Sequence, residues 1–175
     1  MQEQEIKQKV LIIDDEEDIR VHLKKMLESR GYYCFAASDG QEGLDLVKEH
    51  DIEIIFSDIM MPGLNGLDFL KAVHNYNLAA QVIMVTGKTD LDSCLEAVEN
   101  GACGYLIKPV GIDAFIEYIL LAQRNILEKK EIVKKVIEQL KPGQAKGMLE
   151  DVIKTGSDLQ KKIRVIKKTL NQDKE

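Results

Sequence analysis

The chain has 175 residues, 24 Lys plus Arg against 30 Asp plus Glu, a formal charge of −6 and 45% hydrophobic residues. That length fits one ordinary domain with a surplus or two small ones, and the balance of apolar and charged residues excludes disordered, collagen-like and mucin-like classes. Charge is divided unevenly: residues 1–125 carry 11 basic and 22 acidic side chains, whereas residues 126–175 carry 13 and 8, so two segments with different tasks are expected.

The N-terminal MQEQEIKQK carries charge where a secretory signal needs an apolar core, and no run approaches about 18 uninterrupted apolar residues, so a cytoplasmic, non-membrane protein is expected. A first run of strand length, VLIID (10–14), leads into a helical pattern at Ile19, Leu23, Met26 and Leu27. After Gly31 comes YYCFAA (32–37), and Asp39-Gly40 opens a helix carrying Leu44 and Val47. A third run, IEIIFSD (52–58), turns through Pro62-Gly63 and Asn65-Gly66 into a helix with Leu67, Leu70 and Val73. The fourth, QVIMVTG (81–87), precedes a helix whose apolar positions are Leu95 and Val98 and which Asn100-Gly101 closes; the fifth is GYLIKP (104–109). Near-continuous apolar strands separated by amphipathic helices predict five buried strands in a parallel sheet covered on both faces. The result is a doubly wound α/β domain over residues 8–125.

A last helix begins near Ile112 and continues past Asn125, because Ile112, Ile119, Ile126, Val133 and Leu140 recur every seven residues. Lys141-Pro142-Gly143 breaks it. Leu149, Val152, Gly156, Leu159, Ile163, Ile166 and Leu170 then form a heptad seam with one glycine defect. A helical hairpin or coiled coil is predicted over residues 126–175, with a homodimer through these helices as the expected assembly and docking on the chain's own α/β domain as the other arrangement. The basic excess reads as a solvated helix face before it reads as a nucleic-acid site. QAKGML bears a faint likeness to RNA-binding antiterminator tails, but the residues after it do not continue that pattern.

Cys34, Cys94 and Cys103 lack metal-ligand spacing and are expected reduced and packed. His22, His50 and His74 fall on helices or their ends and read as solvated surface. In a doubly wound sheet the ligand site lies beyond the carboxyl ends of the strands. Those ends carry Asp14, Asp15, Asp58, Thr86 and Lys108, so three carboxylates, a hydroxyl and an ammonium are expected on one rim. Crowded carboxylates repel unless a cation sits among them, and an incomplete oxygen shell suits Mg²⁺, with Mn²⁺ as the alternative. A hydroxyl and an ammonium opposite the metal could grip a phosphoryl group, and a carboxylate can itself form an acyl phosphate.

The motifs VLIIDDEED, IIFSDIMMPGLNGLDFL, VIMVTG and GYLIKP stand in order between residues 8 and 125, and over that span the chain resembles the receiver domain of two-component response regulators. The resemblance implies a flavodoxin-like fold of receiver type, with a histidine kinase or phosphotransfer protein as partner. It implies Asp58 as phosphoacceptor, Mg²⁺ held by Asp15, Asp58 and the Met60 carbonyl with Asp14 acting through water, and Lys108 paired with the phosphoryl oxygens. Thr86 and Tyr105 would be the switch residues, and Pro109 would follow a cis peptide. Gly87 would leave the phosphoryl group unobstructed, and Met60 and Lys88 would tune its hydrolysis.

The function expected is a phosphorylation-dependent signalling switch acting through its helical tail. Such a chain catalyses its own phosphotransfer and slow dephosphorylation without being a conventional enzyme. The alternative is a nucleic-acid-binding transcriptional or antitermination regulator using the basic tail, which a steep salt dependence of binding would reveal. A haloacid-type phosphatase would need a second Asp two residues after Asp58, where Met60 stands.

Overall fold

The computed structural model describes residues 8–77, 79–87 and 90–138. Five strands, β1 (Lys9–Ile13), β2 (Tyr33–Ala37), β3 (Ile54–Ser57), β4 (Gln81–Thr86) and β5 (Gly104–Ile107), alternate with α1 (Glu17–Glu28), α2 (Gly40–His50), α3 (Gly66–Tyr76), α4 (Leu91–Glu99) and α5 (Ile112–Glu138). All strand pairs are parallel, in the order β2-β1-β3-β4-β5. Strand order reverses between β1 and β3, which makes the carboxyl ends of those two strands the switch point of the sheet.

Strand side chains alternate between two cores. Leu11, Ile13, Ile55, Val82 and Met84 face Val47, Phe69, Leu70, Val73 and Ala97 of α2, α3 and α4. Val10, Ile12, Ile54, Phe56, Ile83 and Val85 face Leu23 and Leu27 of α1 and Phe115, Ile119, Ala122 and Ile126 of α5. Burial on both faces explains why these strands read as unbroken apolar runs, and each such side chain contributes about 1.5–3 kcal/mol when fully buried. The helix starts follow from their caps. Asp39 accepts from the Gln41 and Glu42 amides, Asn65 from Leu67 and Asp68, and Asp90 from Ser93.

Three expectations need correction. The central strands are buried, but β5 is a half-exposed edge, with Ile107 52% exposed. On α4 the periodic residues Leu95 and Val98 point to solvent, and Ser93 and Ala97 are buried instead. Small residues on that face let the helix approach the end of the sheet, and the larger apolar stripe is left outside. His74 is not solvated: its Nδ1 lies 3.0 Å from the Asn100 carbonyl oxygen and its Nε2 3.3 Å from that of Ala80. Burial holds its pKa below the ordinary imidazole value, against the two carbonyl contacts that raise it.

The three cysteines are unpaired, with Cys34 buried and the other two half-buried. As expected from the seven-residue recurrence, α5 is one uninterrupted helix of 27 residues, starting at Ile112 and passing Asn125. Ile119 and Ile126 are buried, and Lys130 on its far part donates to Glu53 at 2.8 Å. The break at 141–143, the seam over 149–170, the hairpin and the homodimer lie outside the described residues. No helix among the described residues is long and apolar enough to cross a membrane.

Candidate functional site at the carboxyl ends of β1, β3 and β5

Three of the residues at the rim are held by the sheet itself. The Asp14 amide donates to the Ala37 carbonyl oxygen of β2 at 3.2 Å, the Asp58 amide to Ile13 of β1 at 2.8 Å, and the Lys108 amide to Thr86 of β4 at 2.9 Å. Each ladder thus extends one residue beyond its strand, and the side chain at each rim position leaves from a backbone that register has already fixed.

Asp14 and Asp58 are almost fully buried, and Asp15 is exposed. One carboxylate oxygen from each of the three lies within 4.8 Å of the others. Lys108 Nζ donates to Asp14 Oδ2 and to Asp58 Oδ2, both at 2.6 Å. Asp14 Oδ1 accepts from the Glu16 amide and Asp58 Oδ1 from the Met60 amide, each at 3.0 Å. Burial works against the Lys108 ammonium, but its hydrogen bonds to Asp14 and Asp58 outweigh that cost and hold its pKa above the ordinary lysine value.

Three carboxylates against one ammonium leave the cluster negative, and its donors are hard oxygens converging from one side. That donor set fits Mg²⁺, which binds through one or two carboxylates and completes its shell with other oxygens.

The remaining expected residues divide. Thr86 is fully buried, paired with Ile107 in the β4–β5 register, and its carbonyl positions Lys108. Tyr105 is half-buried against the α2–α4 core, and burial followed by the nearby negative charge of Asp90 raises its pKa. The Met60 side chain is 60% exposed, and its amide donates to Asp58. A Cβ added at Gly87 would meet nothing within 4 Å, so the space beside Thr86 is open. The Lys108–Pro109 peptide is cis. Lys88 lies outside the described residues.

Sequence reasoning missed three contributors. Arg20 Nη1 donates to the Asp14 carbonyl oxygen at 2.5 Å, and Glu16 Oε1 lies 3.7 Å from Lys108 Nζ. Gly66 is more than a turn residue: a Cβ there would sit 2.0 Å from the Asp58 carbonyl oxygen and 2.8 Å from Ile59 Cα. The first turn of α3 therefore lies directly against the backbone of Asp58. Only the Asn65-Gly66 pair signalled this in the sequence, and it signals a turn equally well.

Residues 10–120 match the response regulator receiver domain family. The chain belongs to that family. Receiver domains of two-component systems are phosphorylation-dependent signalling modules, and the acidic cluster at Asp14, Asp15 and Asp58 is compatible with Mg²⁺ and phosphoaspartate. Among relatives, this receiver is 32% identical over 157 residues to the DNA-binding transcriptional regulator NtrC of Escherichia coli K12, an alignment covering 90% of this chain and 32% of that protein. The chain thus spans about a third of NtrC. It is 33% identical over 106 residues to sporulation initiation phosphotransferase F of Bacillus subtilis, covering 61% of this chain and 86% of that one. A receiver domain structure from Clostridium thermocellum superposes with a TM-score of 0.63 at 35% identity, covering 71% of this chain and 98% of that one.

Proposed function

We propose that this receiver accepts a phosphoryl group on Asp58 from the phosphohistidine of a kinase or phosphotransfer protein and passes the change on through its C-terminal extension. The observation that carries the reading is the Lys108 ammonium shared between Asp58 and Asp14 at the switch point of the sheet. It sets a positive charge against the two buried carboxylates of the acidic cluster, within reach of a group attached to Asp58.

Asp15, Asp58 and the Met60 carbonyl would hold Mg²⁺, with Asp14 behind them. When bound there it would neutralise charge on the incoming phosphoryl oxygens. Asp58 Oδ attacks phosphorus in line, and the P–N bond breaks with its electron pair returning to the imidazole, which leaves neutral once its other nitrogen is protonated. Lys108 then exchanges carboxylate oxygens for phosphoryl oxygens and keeps its charge paired. The Thr86 hydroxyl donates to the same group from the end of β4, and Tyr105 follows into the space that Thr86 vacates. Phosphorylation thereby biases an equilibrium between two arrangements of the β4–α4 and β5–α5 loops.

Incubation with phosphoramidate and Mg²⁺ should add one phosphoryl group that hydroxylamine removes, and chelator or Asp58→Asn should abolish it. An adduct that survives in Asp58→Asn would refute the assignment.

A further inference from the structure

A cavity of about 720 Å³ opens between α1 and the β5–α5 connection, with Ile19, Leu23, Val85, Pro109, Val110 and Phe115 as its apolar walls. It reaches Lys108 at one end. Asp18 and His22 of α1 complete its lining, and Asp18 ends an exposed acidic run from Asp15, so the groove is apolar within and carries negative charge at its α1 edge. An occupant should present a narrow apolar stripe flanked by cations.

The sequence beyond the described residues contains such a segment. Residues 159–170, LQKKIRVIKKTL, hold five basic residues and no acidic one. Leu159, Ile163, Ile166 and Leu170 recur there at helical spacing, with Lys161, Lys162, Arg164, Lys167 and Lys168 between them. Chain length matches as well. α5 spans 27 residues to Glu138, about 40 Å at helical rise. A second helix returning from the break at 141–143 would bring Leu159 opposite Gln123 and Leu170 opposite Ile112. That length would bring residues 159–170 within reach of Val110 and Phe115, where the groove lies.

We propose that residues 159–170 of this chain dock in the groove between α1 and α5, apolar stripe inward and basic residues toward Asp18 and the acidic run that precedes it.

Backbone hydrogen exchange on the full chain tests this without any phosphorylation, so it succeeds or fails independently of the role given to Asp58. In Ile163→Asp/Ile166→Asp, and separately in Lys161→Glu/Lys162→Glu/Lys167→Glu/Lys168→Glu, amides of α1 and of residues 110–115 should exchange about tenfold faster. Those of β1 and β3 should be unchanged, which shows that the domain remains folded. Raising salt should speed the same amides in the parent chain. Unchanged exchange in both variants would overturn the proposal. So would protection that appears only in a species of twice the chain mass by light scattering, because the tail would then be joining two copies.

Discussion

Replacing Lys108 with Met removes the ammonium bonded to both buried carboxylates while keeping the length and apolar stem of the side chain. The oxygens of Asp14 and Asp58 lie within 4.8 Å. At that separation, and with an effective dielectric constant of about 20, two unit charges repel by about 3.5 kcal/mol. For a chain of 175 residues that corresponds to a fall in Tm of roughly 7–14 °C. Mg²⁺ should reverse it. Lys108 occupies Oδ2 of both aspartates in the parent, so the variant offers those oxygens without competition and should gain more from the metal. Saturation at a hundred times Kd stabilises by about 2.7 kcal/mol. The assay is thermal unfolding by far-ultraviolet circular dichroism, since the chain has no Trp, in chelator and across a Mg²⁺ titration. A variant that melts within about 1 °C of the parent in chelator, or a parent that gains more from Mg²⁺ than the variant, would refute the reasoning.

Gly66→Ala should destabilise by about 1–3 kcal/mol through collision with backbone at Asp58 and Ile59. Gly43→Ala, whose Cβ meets the flexible tip of Ile13, should cost less in urea unfolding, and the reverse order would contradict the close approach of α3. His74 has a lowered folded pKa, so the unfolded chain binds the proton more readily. Its contribution to stability is complete above the ordinary value of 6.5 and is lost as pH falls through it toward the folded pKa. Urea midpoints from pH 7.5 to 5.5 should fall less steeply in His74→Gln than in the parent. Burial, then the Glu28 charge, pushes the Cys34 thiol up to about 12; at pH 8 it should resist iodoacetamide until the protein unfolds, and native-state alkylation by mass spectrometry would count against its placement.

The sheet was legible in the sequence because its three central strands are buried on both faces and its edge strands still carry apolar runs, so these runs and the turn residues marked the strands without help from tertiary context. The site was legible for the same reason: a doubly wound sheet sends its functional residues to strand ends, and Asp14, Asp58 and Lys108 stand one position beyond theirs. What failed was any inference that required knowing which side of a helix faces inward. On α4 the stripe at Leu95 and Val98 looked like core, but Ser93 and Ala97 pack because small side chains suit a helix lying close to the sheet edge. His74 failed similarly, since its carbonyl partners come from loops that no local pattern connects to it. Gly66 was legible as part of the turn that opens α3, but not as a close contact. Its reason for being glycine is a backbone in three-dimensional contact, which a turn motif does not encode.

The ammonium of Lys108 meets Asp14 across 94 residues of sequence and Asp58 across 50. Because the amides of all three are held by neighbouring strands, no fragment of the fold contains the candidate centre. A slip of one residue between β1 and β3 would turn the Asp58 side chain to the opposite face of the sheet. A chain emerging from synthesis has Asp58 long before it has Lys108, and its carboxylate is then an ordinary solvated acid. If Asp58 and Lys108 act as proposed, competence to receive a signal arrives only with the last strand, and an unfinished or misassembled molecule stays silent in the circuit rather than sending a false message.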